Sequence, residues 1–270
     1  MEPAGARCLV TGASSGIGRA VAGRLAAAGA RLALHGRDRD ALAALAAAIF
    51  AGVPPAGAAP AAGPVVAATL TGDLTRPGMA EAAAGDAAAA LGGIDVVVAS
   101  AGAGWAGPFS DMDMAEAERM VSLNLMAPVR LSRAVLPGML ARRRGHIVVV
   151  GSIAGRVGVP GEAVYAATKA GLAAFADSLR AEVAGQGVGV SLVTPGAVDT
   201  PFFERRGRRY GRRIPRPVAP ERVADAVLRC LEGDRAEQTV PRWLTVPARL
   251  HGAAPGVYRS LARLDRGAAP

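Results

Sequence analysis

The sequence predicts an α/β domain in which helices cover both faces of one doubly wound parallel sheet. Three observations lead there. Short apolar runs alternate with alanine-rich helical stretches along most of the chain, the pattern that crossover helices between parallel strands impose. The segment His146–Val150 lacks polar alternation, as a strand buried on both faces does. With 51% hydrophobic and 20% charged residues among 270, the chain can bury one substantial core and does not read as disordered.

The elements follow in order. Ala6–Gly12 is a strand entering a glycine-rich turn, and Ile17–Ala28 is a helix stopped by Gly29. Arg31–Leu34 is the second strand and Arg39–Ile49 the second helix. Ala51–Pro64, rich in proline and glycine, is a surface loop. A strand around Val65–Leu70, a helix around Met79–Leu91 and a strand at Ile94–Ala99 come next. Helical character then runs from Met114 to Arg143, where Pro128 and Pro137 are expected to kink or break it. After His146–Val150 come a helix at Glu162–Gly185, a strand at Val188–Val193, a helix at Glu221–Leu231 and a last strand at Thr239–Leu244. One domain spans 1–270, with a basic lid around 201–217 and a C-terminal extension around 241–270.

Charge and cysteine content narrow the function classes. Arg205–Arg216 holds seven arginines and no acid, hence +7 of the formal +9. The remainder is nearly balanced, which argues against a general nucleic-acid surface. Cys8 and Cys230 lie in apolar surroundings without metal-ligand spacing and read as two buried thiols. The N-terminus lacks a signal-peptide pattern, and no apolar run reaches the ~18 residues of a spanning helix. A cytoplasmic protein without metal is therefore expected. Lys169 is the only lysine and Asn124 the only asparagine, which directs attention to their chemistry.

The first turn reads Thr-Gly-Ala-Ser-Ser-Gly-Ile-Gly, Thr11–Gly18. Glycines between a strand and a helix let backbone approach a pyrophosphate, which the free N–H groups of the helix start then hold. An NAD-binding chain would carry Asp or Glu at the end of the second strand for the ribose 2′-hydroxyl. Here that position is Gly36, followed by Arg37. A guanidinium holds a 2′-phosphate that a carboxylate would repel, so NADP(H) is expected over NAD(H). The alternative for Arg37 is a solvated loop charge.

Gly151-Ser152 follows the central strand, and Tyr165 and Lys169 stand four apart on a helix, sharing one face. A carbonyl that accepts hydride becomes an alkoxide, which needs a proton and donors aimed at its oxygen. Tyr165 supplies a phenolic proton, the Lys169 ammonium favours the phenolate, and Ser152 polarises the carbonyl. Taken singly, Ser152 or Asn124 reads equally as a turn or cap residue.

These motifs together resemble the short-chain dehydrogenase/reductase family, over about Arg7–Thr200. The resemblance implies a nucleotide-binding Rossmann fold and an Asn–Ser–Tyr–Lys tetrad at Asn124, Ser152, Tyr165 and Lys169. It implies a cofactor lined by Gly12, Ser14, Ser15, Gly16, Ile17 and Gly18, an adenine contact at Asp73-Leu74, and the loop Ala101-Gly102. It further implies that Tyr165 and Lys169 meet the nicotinamide ribose, and that Asn124 holds a relay water. Pro195, Gly196, Val198 and Thr200 would close over the nicotinamide. Ala99-Ser100 departs from the family's asparagine pair. The implied activity is hydride transfer between NADP(H) and a ketone or secondary alcohol, as a carbonyl reductase or alcohol dehydrogenase. The implied assembly is a homodimer or homotetramer built on the helices around Met114–Arg143 and Glu162–Gly185. A non-catalytic nucleotide sensor is the competing reading, but it has no need of Ser152, Tyr165 and Lys169 together.

The segment after the nicotinamide-closing turn contains Phe202, Phe203, Tyr210 and the arginine cluster. Crowded like charges predict an extended, mobile lid, either merely solvated or capturing an anionic, 3-oxoacyl or carrier-linked substrate. The tail mixes Trp243, Leu244, Leu250, Tyr258, Leu261 and Leu264 with arginines, so subunit packing or, as a lesser reading, membrane-surface contact remains open.

Overall fold

The computed structural model describes residues 1–52, 65–208, 210–211 and 214–266, with side chains as far as 260. Its strands are β1 (Arg7–Thr11), β2 (Arg31–Gly36), β3 (Val66–Thr71), β4 (Val96–Ala99), β5 (Gly145–Val150), β6 (Val188–Pro195) and β7 (Glu237–Val240). They form one sheet in the order β3-β2-β1-β4-β5-β6-β7, with every pairing parallel. The chain winds outward from β1 to β3 and resumes beside β1 with β4. This reversal opens a crevice at the carboxyl ends of β1 and β4, where such sheets bind ligands.

The helices are α1 (Gly16–Ala27), α2 (Arg39–Ala51), α3 (Met79–Leu91), α4 (Met114–Val121), α5 (Ala127–Ala141), α6 (Ala154–Val157), α7 (Ala163–Glu182), α8 (Phe202–Arg205), α9 (Pro220–Gly233), α10 (Thr245–Ala253) and α11 (Pro255–Arg266). Successive strand residues point to opposite faces, and both faces are covered. Val98 and Val148 join Leu25 of α1, Leu42 of α2 and Val227 of α9. Val97 and Val149 join Ala84 of α3, Leu131 of α5 and Leu172 of α7. That double burial is why these strands show no polar alternation.

The helix expected from Met114 to Arg143 is three pieces: α4, a π turn at Ser122–Met126, and α5. The break falls just before Pro128, whose missing N–H removes an α-helical bond, and the widened turn contains Asn124. Pro137 breaks nothing and sits inside α5. Pro137 and Arg133, whose carbonyl it leaves without a helical donor, are both exposed. The last strand is Glu237–Val240 rather than Thr239–Leu244, and Arg242–Leu244 is a 3₁₀ turn. Pro241 disfavours continuation of the ladder there. The loop expected at Ala51–Pro64 lies, beyond Gly52, outside the described residues.

Asp38, one position late for a ribose ligand, caps α2 by accepting from Ala41 N at 2.9 Å. Both cysteines are buried and free. Leu244 anchors the C-terminal extension near Gly196, where an added Cβ would stand 2.5 Å from its Cδ1. Trp243, Val246 and Val257 remain exposed. Among the described residues no helix is long and apolar enough to cross a membrane, and no cluster of His, Cys, Asp and Glu suits a metal.

Candidate active site

A cleft of about 1090 Å³ runs along the carboxyl edge of the sheet. Its floor at one end is the turn into α1. Gly12 has φ +70°, and a Cβ there would stand 2.9 Å from the Ala101 backbone. A Cβ on Gly18 would overlap the Gly12 carbonyl. Glycine is therefore required by backbone conformation at the first and by close approach at the second. The start of α1 has no side-chain cap from Ser15 and no acid in its first turn, so its N–H groups face the cleft uncompensated. Thr11 Oγ1 accepts from Ser100 N (3.2 Å) and Ala101 N (3.3 Å). This fixes the Ala101-Gly102 loop against the turn and stands where the family's asparagine pair is missing. A diphosphate of a dinucleotide fits this cradle in shape and charge.

Toward the far end, Gly36 is buried and Arg37 exposed at the tip of β2, and both line the cleft with Asp73 and Leu74. Burial pushes the Asp73 carboxyl up, but two bonds from Thr75 and the charges of Arg37 and Arg119 outweigh it and hold it below its ordinary range. Arg119 of α4, paired with Glu116 at 2.5 Å, lines the same end. His35 lies beneath it, buried, with neither ring nitrogen bonded.

The opposite wall carries Ser152, Tyr165 and Lys169. Ile147 and Val149 of β5 share an apolar cluster with Leu172 and Ala173 of α7, and the three polar residues line the cleft beside it. Tyr165 is 9% exposed and Lys169 6%. Lys169 Nζ donates to Val150 O at 2.8 Å and lies 5.8 Å from the Tyr165 ring centre. Burial pushes the Tyr165 phenol up to about 12, with the Ser152 hydroxyl and Arg206 opposing and Glu162 reinforcing the rise. Burial also pulls Lys169 down to about 8. Desolvation thus outweighs the opposing Ser152 hydroxyl and Arg206 charge and favours the protonated phenol, the form that can act as an acid.

Asn124 does not line the cleft. It is fully buried, and its side chain accepts from Ala103 N (2.9 Å) and donates to Ala103 O (2.8 Å) and Thr168 Oγ1 (3.2 Å). It braces the loop after β4 against α7. Pro195, Gly196, Val198 and Thr200 line the cleft after β6, and Thr200 packs against Gly16.

The basic segment is not the uniformly extended lid that its charge suggests. Phe202–Arg205 form the short helix α8. Arg205 Nη1 donates to Ser15 Oγ at 3.0 Å, and Arg206 pairs with Glu162 at 2.6 Å. Specific partners thus overcome local repulsion for part of the cluster; Arg209, Arg212 and Arg213 lie outside the described residues. Phe202 stacks on Tyr165 with ring centres 5.6 Å apart. The sequence reading missed Glu162, Arg206 and Arg119. Glu162 was legible in principle, three residues before Tyr165 on one helix face. Nothing local distinguishes Arg206 or Arg119 in so arginine-rich a chain.

The fold and cleft define the class of doubly wound, Rossmann-type α/β proteins with a ligand crevice at the carboxyl edge of the sheet. A family model described as short chain dehydrogenase matches residues 6–211, and the chain belongs to that family. Dehydrogenase/reductase SDR family member 7B of Bos taurus is 38% identical over 192 residues, covering 71% of this chain and 58% of the relative. The matches to its mouse and rat counterparts likewise span 62% of each relative's length. A 2-dehydro-3-deoxy-L-rhamnonate dehydrogenase (NAD(+)) of Sphingomonas sp. (strain SKA58) is 36% identical over 203 residues, covering 75% of this chain and 76% of that protein. Among solved structures, a short-chain dehydrogenase from Sphingobium yanoikuyae in complex with NADPH has 30% identity and a TM-score of 0.77, covering 92% of this chain and 94% of that one.

Proposed function

We propose that this chain is an NADP(H)-dependent carbonyl reductase or alcohol dehydrogenase acting on a ketone or secondary alcohol. The observation that carries the reading is the meeting of Ser152, Tyr165 and Lys169 in one cleft with the uncapped start of α1. When bound, the nicotinamide supplies or accepts the hydride. The residues do the rest. Residues 12–18 would hold the diphosphate, with Arg205 adding a cation over the same turn. Asp73-Leu74 and Ala101-Gly102 would meet the adenosine half, and Pro195, Gly196, Val198 and Thr200 the nicotinamide half. Ser152 orients the carbonyl oxygen by donating to it, and Tyr165 protonates that oxygen as it becomes an alkoxide. Lys169 would donate to the cofactor ribose, and its charge would steady the phenolate left behind. Asn124 acts by bracing Ala103 and Thr168, which fixes the turn of α7 beneath Tyr165.

Preference for NADP(H) rests on Gly36-Arg37 and on the NADPH complex of the similar Sphingobium enzyme; the Sphingomonas relative's name points the other way. Met114, Val121 and Met126, exposed along α4 and the π turn, support a homodimer or homotetramer through α4, α5 and α7. Light scattering that reports a monomer at micromolar concentration would refute that part.

The deciding experiment is NADPH oxidation against a panel of ketones and 3-oxoacyl thioesters, run with the parent and Tyr165→Phe. Turnover of at least one carbonyl by the parent alone supports the reading. Nucleotide binding without turnover of any member would favour a sensor.

A further inference from the structure

One ion pair in the lining of the cleft has no part in the chemistry above. Glu162 and Arg206 meet at 2.6 Å with side chains only 14% and 7% exposed. Burying two charges carries a large desolvation penalty, which good geometry and added bonds must offset. Those additions are present: Arg206 Nε donates to Arg208 O at 3.1 Å, and its guanidinium lies 4.6 Å from the Phe203 ring centre. Phe203 in turn packs on Phe202 at 5.7 Å, and Phe202 on Tyr165 at 5.6 Å. Glu162 is the N-cap residue of α7, three residues before Tyr165 and so on the same side of the helix. The pair therefore ties the segment after β6 to the helix that presents the phenol, and touches that phenol through two aromatic rings.

We infer that Glu162 and Arg206 are a positioning pair for Tyr165: they clasp the lid to α7, hold Phe202 on the phenol ring and set the charge balance at its hydroxyl. The inference rests on the reading of Tyr165 as the proton-transferring group. The charged groups facing the phenol are Lys169 from its own helix, Glu162 from the start of that helix, and Arg206 from the lid. The carboxylate opposes ionisation of the phenol and the guanidinium favours it. Together they offset one another, and the weak screening of a buried site makes each strongly felt once the other is gone. This matters to catalysis in both directions. In reduction the phenol O–H bond breaks and its proton goes to the alkoxide oxygen. In oxidation the alcohol proton goes to the phenolate as the C–H pair leaves as hydride for the oxidised nicotinamide.

The test needs no knowledge of the substrate. Tyrosinate absorbance of the whole chain is followed against pH in the parent, Glu162→Gln, Arg206→Gln and the double variant. The chain has three tyrosines, and Tyr165→Phe assigns the signal. Glu162→Gln is expected to move the Tyr165 titration down by about one pH unit and Arg206→Gln to move it up by a similar amount, with the double variant returning toward the parent. Titrations that stay in place, or move the same way in both single variants while circular dichroism reports a native fold, reduce the pair to a structural clasp and overturn the inference. Should Arg206→Gln fail to fold, the other two variants decide: a double variant that stays at the Glu162→Gln position also overturns it. Turnover retained by Tyr165→Phe would instead remove the catalytic reading, and the tyrosinate result would stand apart from it.

Discussion

The two walls of the cleft differ in what they are made of. At the turn into α1, the groups facing the ligand are backbone N–H donors, and the side chains have been removed to make room: Gly12 and Gly18 leave no space for a Cβ. At α7 and the π turn, the working groups are buried polar side chains, Asn124, Tyr165 and Lys169, at 0%, 9% and 6% exposure. Backbone donors at a helix start carry no desolvation penalty beyond that of the helix itself. A lysine and an asparagine in the interior do, unless every polar atom is bonded. One wall is thus secured by shape, and the other trades stability for chemistry. Substitutions that separate binding, stability and turnover test this contrast.

The largest effect is expected from Tyr165→Phe. The ring keeps its contact with Phe202, so NADPH binding by fluorescence titration should match the parent. Turnover should fall by about a thousandfold, within the range general acids contribute. Near-normal kcat would strip Tyr165 of its assigned role. Gly12→Ala should do the reverse of this: a Cβ against Ala101 and a positive φ should abolish nucleotide binding while leaving little to measure in turnover.

Asn124→Ala comes next and bears on stability. It leaves the Ala103 N–H and carbonyl without their partner, at a cost of about 2 kcal/mol for two part-buried polar groups. Urea denaturation should show this as a lower midpoint with an unchanged slope. A loss below about 0.5 kcal/mol would mean that water replaces the amide.

Lys169→Met should lose turnover yet gain stability. Burial lowers Lys169 from 10.5 to about 8, so below about pH 8 both folded and unfolded chains carry the proton and folding bears the desolvation cost. Between about 8 and 10.5 the unfolded chain holds more protons, so stability rises with pH in that window. Methionine should add about 2 kcal/mol near pH 7, the desolvation less the lost bond to Val150, and should flatten that rise. Thermal denaturation at pH 7 and pH 10 measures both; a destabilised Met variant at pH 7 would show that the ammonium is better solvated than its burial implies.

The smallest effect is at the exposed tip of β2. Arg37→Ala should raise KM for NADPH about tenfold, the worth of one charge-assisted contact, and leave KM for NADH unchanged. Equal kcat/KM for the two cofactors in the parent would remove the premise.

Much of both walls was legible from sequence because those parts are contiguous. Thr11–Gly18 is one strand–turn–helix, Gly36-Arg37 is one strand end, and Tyr165 and Lys169 are one helical turn apart. Each obeys a rule with a range of a few residues, and strand alternation fixes the sheet class in the same way. Boundaries slipped at prolines, which end a ladder or widen a turn within a residue or two: the π turn before Pro128, and β7 ending before Pro241.

By itself, then, the sequence determined the doubly wound sheet, the glycine turn and the spacing of the Tyr–Lys pair. Only the tertiary structure decided how the buried polar groups are matched. Asn124 braces Ala103 and Thr168 across 21 and 44 residues. Of seven crowded arginines, Arg206 takes the carboxylate of Glu162 and Arg205 reaches Ser15, 190 residues away. Burial pushes the Tyr165 phenol up, against the Ser152 hydroxyl and Arg206 that oppose the rise. A local pattern cannot encode such choices, because desolvation and ion pairing depend on which distant segments exclude water from a group and which bring it a partner.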